Sequence, residues 1–166
     1  MLIVLIGMCY SGKTTIGRLL SERLCVPWYD FAELFKQKFK KTELEYLKDH
    51  GSKFFKEAEL HLMKKKYDKM ILSLSGSSIY YEEEMLRLFE DKNVKVIFLN
   101  PPLDVINKRR KAEGCERPIV YPPGINSFDE LYKERYGLYS KYANIVVNIG
   151  EEHVPDDVAS DITTSL

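Results

Sequence analysis

Residues 7–14 read Gly7-Met8-Cys9-Tyr10-Ser11-Gly12-Lys13-Thr14, a complete GxxxxGK[ST] string. It follows a short apolar run, 2–6, and opens a stretch, 13–24, with helical periodicity. A strand that ends in such a turn and feeds a helix restricts the chain to α/β folds that bind phosphate at the turn. Gly7 and Gly12 accept backbone geometry that a side chain blocks, so successive N–H groups can turn inward around phosphate oxygens. The positive end of the helix adds to that field. Lys13 carries an ammonium to the β- and γ-phosphates, and the Thr14 hydroxyl is a Mg²⁺ ligand. Ser11 and Thr15 complete the segment expected to hold ATP.

Further along, apolar runs alternate with amphipathic stretches. Strands are expected at 2–6, 27–29, 70–74, 94–99 and 144–148. Four of the five are rich in Ile, Val and Leu with little polar alternation, as strands covered on both faces are. Helices are expected at 13–24, 31–41, 42–66, 82–91, 103–111, 127–141 and from Pro155. Thr42-Glu43-Leu44-Glu45 has capping-box spacing and starts a new helix. The order predicts a three-layer α/β/α fold with a five-stranded parallel sheet. At 166 residues the chain is expected to be one domain, with a helical substrate-binding region at about 31–66. Prolines 118, 122 and 123 keep the stretch 114–124 irregular, so a lid is expected at about 112–125.

Lys+Arg and Asp+Glu both number 25, and this zero balance argues against a general nucleic-acid binder. Cys9, Cys25 and Cys115 form no CxxC pair, which favours a reducing cytoplasm over a disulfide framework or zinc site. The N-terminal apolar run stops at Gly7, so neither a signal peptide nor a membrane partner is expected. His50, His61 and His153 lack metal-ligand spacing. Trp28 reads as core or pocket wall, and Cys9 as an inert side chain or a redox-sensitive thiol. Of seven arginines, Arg109, Arg110, Arg117 and Arg135 cluster in sequence around the proline-rich loop. Arg109 reads as part of a solvated helix face, and Arg117 as an arginine that closes on a transferred phosphoryl group.

The segments 7–15, Asp30, 51–59, 72–77, Arg117-Pro118 and Arg135-Tyr136-Gly137-Leu138-Tyr139 recur in the order and spacing of shikimate kinases, a family this chain resembles from Met1 to about Pro155. The resemblance implies a nucleoside-monophosphate-kinase-style sheet and transfer of the ATP γ-phosphate to the 3-hydroxyl of shikimate with Mg²⁺. It implies that Lys13, Arg117 and Asp30 are catalytic, that Thr14, Asp30 and Ser73 lie in the Mg²⁺ shell, and that Arg110 and Pro155 sandwich adenine. Asp30, Lys56, Gly76 and Arg135 fall on acceptor-binding positions, with Glu59 beside them.

The acceptor half departs from the family pattern. Asp-x-Asp reads Asp30-Phe31-Ala32, so a carboxylate that grips ring hydroxyls is replaced by a methyl group. Phe-Arg reads Phe55-Lys56, and the Gly-Gly-Gly run reads Ser75-Gly76-Ser77. Exchanging a forked guanidinium for an ammonium weakens a carboxylate contact by ~1–3 kcal/mol. Shikimate is the leading acceptor. A hydroxyl of another cyclitol, a sugar acid or a nucleotide, or a non-catalytic ATP-binding module, is the alternative. The acceptor is expected to carry a carboxylate held by Lys56 and Arg135, and the protein to be a monomer or weak dimer. Lys13, Lys56, Arg110, Arg117 and Arg135 are expected to converge on one cleft with the carboxylates mostly elsewhere.

Overall fold

The computed structural model describes residues 1–114, 117 and 119–166. Cys115 and Pro118, which entered the cysteine and lid arguments, lie outside them, as does Glu116. Among the described residues the elements run β1 (Leu2–Ile6), α1 (Lys13–Leu24), β2 (Trp28–Asp30), α2 (Phe31–Phe39), α3 (Glu43–Met63), β3 (Ile71–Ser73), α4 (Glu82–Glu90), β4 (Val94–Asn100), α5 (Leu103–Glu113), α6 (Phe128–Lys141), β5 (Ile145–Asn148) and α7 (Pro155–Ser165). A 3-10 turn at Ser78–Tyr80, not anticipated from sequence, precedes α4.

The five strands form one parallel sheet in the order β2-β3-β1-β4-β5. Alternation along the strands divides the core. Leu2, Val4 and Ile6 of β1 and Val94, Val96 and Phe98 of β4 join the cluster that packs α2, α3, α4 and α6. Ile3 and Leu5, with Ile97 and Leu99, join the cluster under α1 and α7. Two apolar faces per strand explain runs without polar alternation. β1 is central, and the chain crosses to β3 on one side and β4 on the other, so its carboxyl end is a topological switch point where a ligand crevice forms.

Helix α3 corrects the expected uninterrupted helix at 42–66, because Gly51 (φ 79°, ψ 171°) breaks it internally. That conformation is essentially restricted to glycine. The capping box is present: Glu45 N–H donates to Thr42 Oγ1 (3.2 Å) and Thr42 N–H to Glu45 Oε2 (2.8 Å). Among the described residues, no helix is long and apolar enough to cross a membrane.

Candidate active site

The loop leaving β1 is shaped by close approach. Gly7 has φ 144°, and a Cβ there would sit 2.6 Å from the Leu99 carbonyl and 2.9 Å from Ser11 Oγ. Ser11 is buried, its N–H donating to the Met8 carbonyl (3.2 Å) and its Oγ without a hydrogen-bond partner among the described residues. Tyr10 adopts φ 67°, a left-handed conformation uncommon for a residue with a side chain. Gly12 caps α1 with φ 97°, and Thr15 is exposed on its first turn. Lys13 Nζ donates to the Gly7 and Met8 carbonyls, both at 2.8 Å, and burial lowers its pKa to about 8. Two neutral carbonyls are weaker partners for an ammonium than a phosphate oxyanion, so loop and lysine together suit a polyphosphate.

Thr14 Oγ1 donates to Asp30 Oδ2 (3.0 Å), and Asp30 Oδ1 accepts from the Ala32 N–H (3.1 Å) to cap α2. A hydroxyl beside a carboxylate suits Mg²⁺, which takes one or two protein oxygens and fills its shell with phosphate and water. Across the sheet end, Ser73 Oγ accepts from Trp28 Nε1 (2.9 Å) and donates to the Lys13 carbonyl (3.3 Å). The Trp28 ring lies under Arg18, in keeping with a wall position.

The cations gather around the loop. Arg109 donates to the Tyr10 carbonyl (3.2 Å), and the Arg117 guanidinium lies 4.8 Å from the Tyr10 ring centroid while pairing with Glu113. Burial pushes the Cys9 thiol pKa up, against the opposing pull of Lys13, Arg135, Arg117 and Arg110. Of the five cations expected to converge, Lys13, Arg110, Arg117 and Arg135 lie within electrostatic reach of the Cys9 thiol, while Lys56 is exposed.

The opposite wall comes from α3, the turn after β3, and α6. Arg135 is only 3% exposed, donates to Tyr80 OH (3.2 Å) and lies against its ring. A Cβ on Gly76 would be 2.8 Å from Arg135 Nη1 and 3.7 Å from the Cys9 backbone nitrogen, so only glycine lets this turn run between the guanidinium and the phosphate loop. Tyr139 OH fixes the Gly76 carbonyl at 2.9 Å. Fully buried Glu59 accepts from Ser75 Oγ and Ser77 Oγ (both 2.6 Å) and from Tyr81 OH (2.8 Å). The two serines flanking Gly76 thus clamp the turn through their hydroxyls. Glu43, at the start of α3, has an Oε1 shielded from solvent with no hydrogen-bond partner among the described residues. Burial, reinforced by Glu59 and Asp30, pushes its pKa up to about 8.

A family model for shikimate kinase matches residues 10–166. The chain belongs to the shikimate kinase family. It is 34% identical over 155 residues to the shikimate kinase of Clostridium botulinum (strain Okra / Type B1), covering 90% of this chain and 89% of that protein. The crystal structure of shikimate kinase from Aquifex aeolicus is 27% identical, with a TM-score of 0.77 over 99% of this chain and 95% of the other. Shikimate kinase from Bacteroides thetaiotaomicron shares the fold, with a TM-score of 0.81 at 24% identity over 99% and 97% of the two chains. Family membership makes this an ATP-dependent phosphotransferase with an alcohol acceptor.

Against the family pattern, several expectations change. Ser73, assigned to the metal shell, is a buried brace whose hydroxyl is occupied by Trp28 and the Lys13 carbonyl, while Thr14 and Asp30 are hydrogen-bonded to each other. Arg110 and Pro155, expected to sandwich adenine, stand on α5 and at the first position of α7. Arg110 lies 4.5 Å from the Phe128 ring centroid, and Pro155 opens α7, whose Asp156 pairs with Arg23 of α1 (2.7 Å). Arg109 is half-buried against the loop, not solvated. It lies on the face of Val105 and Ile106, both buried, and that i+4 and i+3 spacing was a readable signal. Lys56 is exposed, with its carbonyl accepting from Tyr81 OH (3.1 Å). The carboxylates are not all remote from the cations, because Asp30, Glu43 and Glu59 are coupled to one another and to Lys13 and Arg117. Tyr10, Arg109 and Glu43 are the residues that sequence reasoning missed.

Proposed function

We propose that this chain phosphorylates the 3-hydroxyl of shikimate in the cytoplasm, using ATP and Mg²⁺, as a monomer or weak dimer. One observation carries the reading: the Gly76 turn separates the buried Arg135 guanidinium from the phosphate loop by little more than a backbone's width. An acceptor whose carboxylate is held by Arg135 is therefore presented to the phosphates. Mg·ATP supplies the phosphoryl group and neutralises the charge that develops as it moves. Arg135 and the Gly76 N–H bind and orient the acceptor, with Lys56 at the cleft rim. Thr14 and Asp30 hold the metal side, Lys13 and Arg117 stabilise phosphoryl charge, and Arg110 and Pro155 offer faces to adenine. Phosphoryl transfer depends mainly on such positioning and charge stabilisation.

The test is ADP release from Mg·ATP with shikimate. Wild-type turnover is expected, with a loss of about 10³-fold in kcat for Arg117→Ala. No turnover by a wild-type protein whose melting temperature still rises with Mg·ATP would sink the acceptor assignment. A second reading, another cyclitol or sugar-acid hydroxyl, draws on Ala32, which takes a carboxylate out of the family's acceptor pattern. A panel of acceptors in the same assay separates the two.

A further inference from the structure

We propose that Glu43 is the carboxyl group that receives a hydroxyl of the phosphoryl acceptor, in place of the one lost at Ala32. The inference rests on the kinase reading above. Its starting point is a side chain that the local structure does not need where it lies. The Thr42–Glu45 box already caps α3, and an acid in a first helical turn gains its dipole stabilisation from the surface. Glu43 instead turns inward, and its Oε1 is sealed from water without a partner among the described residues.

The surrounding groups cannot satisfy it. The charged and polar groups most strongly coupled to it are Glu59, Asp30, Lys13, Arg117 and Tyr81. Tyr81 OH is given to Glu59, which also holds Ser75 and Ser77. Both Asp30 oxygens already accept, from Thr14 and from the Ala32 N–H. Lys13 donates to two loop carbonyls, and Arg117 is paired with Glu113. Among the described residues none is left to donate to Glu43, and the donor is assigned to a bound ligand. Beside Asp30 and Glu59 an anionic group would be repelled, so the matching chemistry is a neutral hydroxyl, while the acceptor's carboxylate goes to Arg135. Ala32 is exposed on α2, which packs on α3, so Glu43 serves the same cleft from the neighbouring helix.

The experiment is steady-state kinetics with shikimate and Mg·ATP on wild type, Glu43→Gln, and Glu43→Gln combined with Ala32→Asp. Glu43→Gln is expected to raise KM for shikimate about threefold to tenfold, the worth of one hydrogen bond, while KM for ATP stays within about twofold. Ala32→Asp in the same chain is expected to recover most of that loss, which a merely structural defect would not allow. Equal KM values for wild type and Glu43→Gln overturn the assignment and leave the kinase reading intact. A double variant as weak as the single one also overturns it. A wild type that releases no ADP with shikimate removes the acceptor reading and the role of Glu43 with it.

Discussion

A carboxyl group held away from water without a hydrogen-bond partner costs about 1–3 kcal/mol, and more once it is charged. Glu43 carries that cost in the ligand-free fold, which marks it as a residue kept for something other than stability. Its proton leaves near pH 4.5 in the unfolded chain and near pH 8 in the folded one. Between those values the folded state binds the more protons, so this residue's contribution to stability falls as pH rises through the window. Glu43→Gln is accordingly expected to melt above wild type at pH 8, with the gap closing by pH 5, as followed by circular dichroism across pH. A melting difference that does not change with pH would contradict the inward, uncharged placement. At this scale the sequence was only half legible. Thr42-Glu43-Leu44-Glu45 shows two acids, and spacing identifies Glu45 as the capping partner, but nothing local says where the other one points.

Elements were read with less loss, because their signals are periodic. Helix α1 and strand β1 match their expected spans, and the other strand ends differ by at most one residue. The exception is α3, where a single glycine in a helical pattern reads as tolerated, whereas Gly51 at φ 79° and ψ 171° is a break. A Cβ there would meet nothing within 4 Å, so the penalty for alanine lies in the backbone alone. Gly51→Ala is expected to lose about 1–3 kcal/mol in urea denaturation, with the slope of the transition unchanged. The break also separates the segment that carries Glu43 from the one that carries Phe55 and Glu59. A straightened helix would move these two parts of the acceptor wall relative to each other, so KM for the acceptor should rise in the same variant.

For the whole molecule, the equal count of 25 cations and 25 anions hides an arrangement in which Lys13, Arg110, Arg117 and Arg135 surround one loop while Asp30, Glu43 and Glu59 line the adjoining wall. Charges gathered around the crevice beyond β1 repel one another until phosphate enters, so Mg·ATP should stabilise the fold as a unit. At a hundred times its Kd the gain is about 2.7 kcal/mol, or roughly 5–10 °C in Tm for a chain of this size, readable by scanning calorimetry. By itself the sequence determined the alternating elements, the parallel sheet, the phosphate loop and the α3 cap, because each depends on residues a few positions apart. The tertiary structure alone decided that Arg109 holds the Tyr10 carbonyl 99 residues away, that Ser77 closes on Glu59 across 18, and that Glu43 Oε1 is shielded from water. Those contacts are made through space between separate elements, and no local periodicity encodes which partner a side chain meets once the helices have packed.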